Sequence, residues 1–302
     1  MAGALRQFTA RYLAPGARVE LIAPAGPFDQ ADFARGVERL RGRYQVHFDA
    51  SIFERQGYFA GDDARRLREL EAALAAPDVA AVIAARGGYG VTRIVSQLDS
   101  ARVRQQAPLL VGFSDISALH ALWAQAEVAS VHGNMVAGLG RTSDALFARW
   151  CDAVEGRFVA SFTGLTTISP GAAEGVLLGG NLAVLSALLG TPSFPSLAGA
   201  VVFLEDIGER PYRVDRMLTS WRNAGVFAAV RGIAIGSFTQ ADPGPDAVSV
   251  ESVLHERLYD LGVPVVAGVP AGHIDDNAEL PFGRIVTLDA TNGQLHLHGR
   301  QA

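Results

Sequence analysis

The sequence predicts an α/β protein in two parts: an N-terminal α/β domain on a parallel sheet (residues 1–155), a linker (156–172), and a second, smaller α+β domain at the C-terminus (173–302). Three observations predict it. In the first half, short apolar runs alternate with helical patterns of about 10 to 15 residues, the spacing of βαβ units. Around Ser161-Phe-Thr-Gly-Leu-Thr-Thr-Ile-Ser-Pro-Gly171 this alternation gives way to small, turn-forming residues. Beyond it, strands and helices recur less regularly, and Thr291-Asn-Gly293 marks a hairpin. A length of 302 residues accommodates two domains of ordinary size.

Taken in order, residues 19–24 form an apolar run closed by the turn signal Pro24-Ala-Gly-Pro27, and residues 32–43 space their apolar side chains by three and four. A strand is expected at 45–48, a charged, Leu-spaced helix at 62–74 and a strand at 79–84. Residues 90–98 read as helix, 108–113 as strand and 115–126 as helix. Downstream, strands at 175–178, 200–204 and 232–237 alternate with helices at 181–189, 214–223 and 250–261, the first of these helices stopped by Gly190-Thr-Pro. Strands at 285–288 and 294–298 form the hairpin, so antiparallel pairing is expected in the second half. No internal repeat or low-complexity tract interrupts the chain. In parallel sheets, chemistry collects at the carboxyl ends of the strands.

Composition removes several classes of function. An apolar fraction of 49% and a charged fraction of 19% are those of a globular protein. A net charge of −5 gives no electrostatic reason to expect nucleic acid or an anionic membrane as partner. All 26 basic residues are arginine. Without lysine there is no Schiff-base chemistry, no P-loop lysine and no S-x-x-K nucleophile arrangement. The single cysteine, Cys151, excludes an internal disulfide and argues against a cysteine-built metal site. It lies in Phe147-Ala-Arg-Trp-Cys-Asp-Ala-Val154, an amphipathic helical pattern in which a buried, inert thiol is expected. The first residues carry no charged segment followed by a long apolar run, and no apolar stretch reaches the roughly 18 residues of a membrane span. A cytoplasmic location is expected.

Four segments end strands with residues capable of chemistry. In Leu109-Leu-Val-Gly-Phe-Ser-Asp-Ile-Ser-Ala-Leu-His120 an apolar strand turns at Ser114 directly into a helix. Such a turn exposes a serine and aims helix amides at a developing oxyanion, although a serine before a helix is also a common N-cap. Ile116 stands where a G-x-S-x-G motif has its second glycine. In Val82-Ile-Ala-Ala-Arg-Gly-Gly-Tyr-Gly90, closely spaced glycines let backbone N–H groups approach a ligand, and Arg86 is suited to a carboxylate. Val201-Val-Phe-Leu-Glu-Asp-Ile-Gly-Glu-Arg210 ends a strand with Glu205 and Asp206, either of which is placed to orient a histidine. Ala267-Gly-Val-Pro-Ala-Gly-His-Ile-Asp-Asp-Asn277 puts His273 in a Gly- and Pro-flanked loop; His132, in Ser130-Val-His-Gly-Asn134, is its rival. Asp275-Asp276 lacks a second nearby histidine or H-E-x-x-H, so no metal is expected.

Together these segments, with Ile22-Ala-Pro-Ala-Gly26, Gly179-Gly-Asn-Leu182, Pro211-Tyr-Arg-Val-Asp-Arg216 and Leu280-Pro-Phe-Gly283, resemble the LD-carboxypeptidase family of serine peptidases over nearly the whole chain. The resemblance implies a site at the domain interface with Ser114 as nucleophile, Glu205 as orienting carboxylate and His273 as general base. It implies an oxyanion hole from the backbone of Asp115 and of Gly87 or Gly88, no cofactor, and a homodimer. The implied substrate is the murein tetrapeptide of peptidoglycan recycling, losing its terminal D-Ala. Arg86 is the candidate for the terminal carboxylate, and Glu209 or Asp276 for the diamino-acid ammonium. Two alternatives stand beside this reading: a microcin C immunity-type hydrolase of aminoacyl-nucleotide amides, and a non-catalytic small-ligand binder on the same scaffold.

Overall fold

The computed structural model describes residues 6–298 apart from 246. The first half supplies five parallel strands: β1 (Arg18–Ile22), β2 (Gln45–His47), β3 (Ala81–Ala84), β4 (Leu109–Gly112) and β5 (Ser130–His132). They lie in the order β5-β4-β3-β1-β2. β3 and β4 are buried along their whole length, as central strands covered on both faces must be. Helices α1 (Gln30–Arg41), α2 (Asp63–Ala75), α3 (Ser100–Gln106), α4 (Ser117–Gln125), α5 (Val136–Leu139) and α6 (Asp144–Val154) connect or follow them. Local sequence explains their starts and faces. Asp29 caps α1 through the Asp32 N–H, and Phe33, Val37 and Leu40 turn inward at helical spacing. α4 is buried from Ser117 to Trp123, and the Trp123 indole finds the Pro108 carbonyl at 2.8 Å.

The second half forms an eight-stranded sheet from β6 (Ser161–Phe162), β7 (Thr166–Ser169), β8 (Ala172–Asn181), β9 (Ala200–Ile207), β10 (Gly232–Thr239), β11 (Val265–Ala267), β13 (Ile285–Asp289) and β14 (Gln294–Leu297). Its helices are α7 (Leu182–Leu188), α8 (Pro211–Asn223) and α9 (Val250–Leu258). Antiparallel pairing, expected in this half, is present but confined to the flanks. β8, β9, β10 and β11 run parallel because helical crossovers join them, whereas the β13–β14 hairpin, β6 and β7 pair antiparallel. The turn-rich stretch 156–172 holds β6, β7 and the start of β8, its Thr-Thr-Ile-Ser run being β-branched enough to pair with β11. Residues 90–98, read as helix, form two short 3₁₀ turns (Val91–Arg93 and Val95–Gln97), since Gly90 enters at φ 140°.

The two halves are not separate bodies. β12 (Leu280–Phe282) leaves the second half and adds to the first sheet, antiparallel to β5. One hydrophobic cluster runs from Leu110, Leu119 and Trp123 to Leu182, Leu185 and Trp221. At the seam β8 ends in Gly179-Gly180-Asn181. A Cβ on Gly179 (φ 140°) would stand 1.9 Å from the Phe203 carbonyl oxygen, so only glycine fits beside β9 there. The Asn181 N–H then donates to Ser117 Oγ at 2.9 Å, joining the second sheet to the start of α4. Among the described residues no helix is long and apolar enough to cross a membrane.

Candidate active site

β4 ends at Gly112, and the chain turns within two residues into a 3₁₀ turn (Ser114–Ile116) and α4. Ser114 sits at φ 65°, a conformation that typically costs a non-glycine residue about 1–3 kcal/mol and persists where the surroundings hold it. The strand-to-helix turn thus presents the hydroxyl rather than capping a helix: no side-chain cap is formed at this start. The Gly87 backbone passes directly over it, for a Cβ on Gly87 would lie 2.8 Å from Ser114 Cβ and 3.0 Å from Oγ. The Gly26 N–H donates to the Gly87 carbonyl at 3.1 Å, so the loop after β1 steadies the loop after β3.

His273 comes to Ser114 from 159 positions away, with Nε2 at 3.1 Å from Oγ. Its Nδ1 lies 2.7 Å from Glu205 Oε2, near the end of β9. A carboxylate only accepts, so Nδ1 carries the proton and Nε2 is left to accept from the serine hydroxyl. The Glu205 side chain is fully buried, and its Oε1 has no partner among the described residues. Asp206 faces the other way. It accepts from Asn181 Nδ2 (2.9 Å) and the Ala183 N–H (2.8 Å) at the start of α7, and burial pushes its carboxyl up to about 6.

His132 is excluded from this chain of contacts. It is fully buried among Phe113, Phe203 and Phe282, neither ring nitrogen has a partner among the described residues, and burial holds its pKa well below 6.5. Phe113 stands against both imidazoles and keeps His132 behind the site.

The Asp115 side chain points away from solvent and accepts from the Val91 N–H at 2.9 Å, tying the serine turn to the glycine loop. Burial pushes this carboxyl from 3.8 up to about 6, opposed by the Val91 and Gly90 N–H groups. Between pH about 4 and about 6 the folded protein holds a proton that the unfolded chain has released, so this group's contribution to stability falls as pH rises through that window. Asp115→Asn is expected to flatten that part of the Tm-against-pH curve by about 5 °C, read by calorimetry.

Ser114 and His273 open into a cleft of about 1090 Å³ lined also by Arg86, Gly87, Gly88, Asn134, Arg141 and Asp275. Arg86 is exposed there and donates to the Pro27 carbonyl at 2.7 Å. Of the two acidic candidates, Glu209 pairs with Arg213 and Asp276 with Arg149, and neither lines the cleft. Asp275 does, as do Asp29 and Arg141. In the sequence Asp275 stands out only as part of an acidic pair weighed for a metal, and Asp29 and Arg141 look like ordinary surface because isolated charged residues in helix starts and loops usually are. Cys151 is a buried free thiol on α6, its pKa raised chiefly by burial.

A serine on a strained strand-to-helix turn, linked through an imidazole to a buried carboxylate, has the geometry of a serine hydrolase site. The models of the LD-carboxypeptidase N-terminal and C-terminal domains match residues 19–133 and 174–288. The chain therefore belongs to the LD-carboxypeptidase family and is a carboxypeptidase. It is 30% identical to the murein tetrapeptide carboxypeptidase of Pseudomonas aeruginosa over 290 residues, covering 90% of this chain and 93% of that protein. A Streptomyces coelicolor protein named as a carboxypeptidase is 40% identical over 297 residues, 94% of each chain. Among solved structures, muramoyltetrapeptide carboxypeptidase from Oxalobacter formigenes matches with a TM-score of 0.80 at 30% identity, over 92% of this chain and 97% of that one. The microcin C7 self-immunity protein MccF shares the fold, with a TM-score of 0.86 at 20% identity over 97% and 98% of the two chains.

Proposed function

We propose that this carboxypeptidase hydrolyses the amide before a C-terminal D-amino acid, releasing D-Ala from murein tetrapeptide. The observation that carries the proposal is the contact chain Ser114 Oγ–His273–Glu205 at the mouth of a cleft that also holds Arg86. The naming of relatives at 30% identity or more as murein or muramoyltetrapeptide carboxypeptidases supports the substrate class.

In this reading His273 Nε2 takes the Ser114 proton as Oγ attacks the carbonyl carbon, and the amide C=O electron pair moves onto oxygen. The N–H of Asp115 and one from the Gly87-Gly88 turn hold that oxyanion; a single such donor is typically worth about 2.7–4 kcal/mol in the transition state. Glu205 stabilises the imidazolium and fixes its tautomer. The imidazolium then returns the proton to the leaving nitrogen, D-Ala departs as the amine, and the acyl group remains on Ser114. Water, deprotonated by the same imidazole, releases the peptide acid and restores the serine. Arg86 binds the terminal carboxylate, a contact available only to a substrate with a free C-terminus.

The same fold in MccF raises the aminoacyl-nucleotide alternative. An active-site mutant of that protein replaces a serine, an asparagine and a lysine, whereas this chain contains no lysine to supply an ammonium. The test presents the purified chain with L-Ala-γ-D-Glu-meso-diaminopimelate-D-Ala and, separately, with aspartyl sulfamoyl adenosine. Release of D-Ala from the first, with the second intact, supports the proposal. The reverse pattern replaces it with the nucleotide reading, and inertness toward both overturns the murein-tetrapeptide proposal.

A further inference from the structure

His273 lies on a loop that reaches into the site without regular structure and is held from both halves of the chain. Within its own half the Thr239 hydroxyl donates to the His273 carbonyl at 3.3 Å and the Ser237 N–H to the Ala271 carbonyl at 2.9 Å. The loop closes on itself through Asn277, which is fully buried and whose Oδ1 accepts the Gly272 N–H at 2.8 Å. The Ala278 N–H returns to the Pro270 carbonyl at 2.9 Å. Across the seam, Arg149 on α6 grips this closed loop with three donors. Its Nη2 donates to the Asn277 carbonyl and its Nε to Glu279 Oε2, each at 2.8 Å, and its Nη1 meets Asp276.

These contacts are unequal. Asp276 is largely exposed, so that pair contributes little. The Glu279 side chain is 2% exposed, and a buried carboxylate deprived of its cation is costly to keep. Burial pushes the Glu279 carboxyl up, and Arg149 is the largest influence opposing it. α6 itself is firmly seated: Trp150 is fully buried and its indole donates to the Asn134 carbonyl, on the cleft wall, at 2.9 Å.

We propose that Arg149 is a positioning residue for His273, holding the 272–279 loop through the Asn277 carbonyl and Glu279 so that the imidazole stays within reach of Ser114. The inference rests on the triad reading given above but not on the identity of the substrate. A planar guanidinium serves three acceptors in fixed directions, which a lysine ammonium cannot reproduce. Displacement of a reacting group by about 1 Å can cost on the order of 10²-fold in rate.

The test uses Arg149→Met, Arg149→Lys and the double variant Arg149→Met/Glu279→Gln in the full-length chain. Three readouts are taken: Tm, kcat and KM for D-Ala release well below Tm, and the His273 ring resonances, assigned by their loss in His273→Gln. Arg149→Met is expected to lower kcat about 10- to 100-fold with KM within about threefold, and to move or broaden the His273 signal. Arg149→Lys is expected to recover Tm but only part of kcat. In the double variant the stranded carboxylate is gone, so Tm recovers while kcat stays low, because the hold on the Asn277 carbonyl is still missing. A double variant that regains wild-type kcat along with Tm would reduce Arg149 to a counter-ion and overturn the proposal, as would an unchanged kcat in Arg149→Met. If the wild type releases no D-Ala, the substrate reading fails on its own, and the His273 resonance still decides: an unmoved signal in Arg149→Met overturns the positioning role, and a shifted one in both Met variants upholds it.

Discussion

Ser114→Ala is expected to lower kcat/KM for D-Ala release by at least about 10⁴-fold while leaving the fold and tetrapeptide binding intact. The hydroxyl is the only atom removed, and its contact is the one to His273 Nε2 at 3.1 Å. Alanine bears the φ of 65° no worse than serine, so Tm should hold within about 2 °C. What survives is the catalysis that backbone donors and substrate positioning supply to water alone. The measurement is D-Ala release by wild type and variant without added metal, beside calorimetric titration of the variant with tetrapeptide. Release that persists in the variant would remove Ser114 from the mechanism and the triad with it.

The second large effect is at Glu205. Replacing it with glutamine is expected to cost about 10³- to 10⁴-fold in kcat with little change in KM. Oε2 now holds the proton on His273 Nδ1. A glutamine amide can turn its NH₂ toward that nitrogen instead, favouring the tautomer whose Nε2–H faces Ser114 and cannot accept its proton. Stability should not fall in parallel. The carboxylate is fully buried and its Oε1 has no partner among the described residues, so neutralising it removes a desolvation cost and Tm should stay level or rise. In Ser114→Ala/Glu205→Gln the activity should be no lower than in Ser114→Ala alone, as for groups that act as a unit. Additive losses would place Glu205 in some role separate from the imidazole.

Much of this is legible in the sequence. The βαβ rhythm of the first half gives the parallel sheet because βα units leave periodic traces: apolar runs at β3 and β4, helical spacing at α1 and α2. Ser114 stood out because an apolar strand ran into a helix with no loop between. The choice of Glu205 over Asp206 comes from the family resemblance alone, since adjacent residues on a strand point to opposite faces and the residues themselves do not say which face is the site. The parallel core of the second sheet is not evident in the sequence for a related reason: its crossovers differ in length, and the clear hairpin at β13–β14 points to antiparallel pairing. Arg149 was invisible because nothing along the chain links an arginine on α6 to a loop that lies far downstream. The Pro281-containing strand β12 was hidden by its proline, which an edge strand tolerates and a central one does not.

That edge strand has a consequence for how the molecule is made. Until β12 leaves the ribosome, β5 has no partner on its outer side, although β1 to β5 are long since complete. A bare parallel edge next to Val131 and His132 is a template for pairing with another chain. The first half therefore spends the synthesis of the whole second sheet's parallel core in an unfinished state, at the mercy of chaperones or neighbours. The span that ends this interval also delivers His273, so the nascent protein closes its vulnerable edge and gains its base in one stroke. Protease sensitivity of nascent chains arrested before and after Phe282 would read that interval directly.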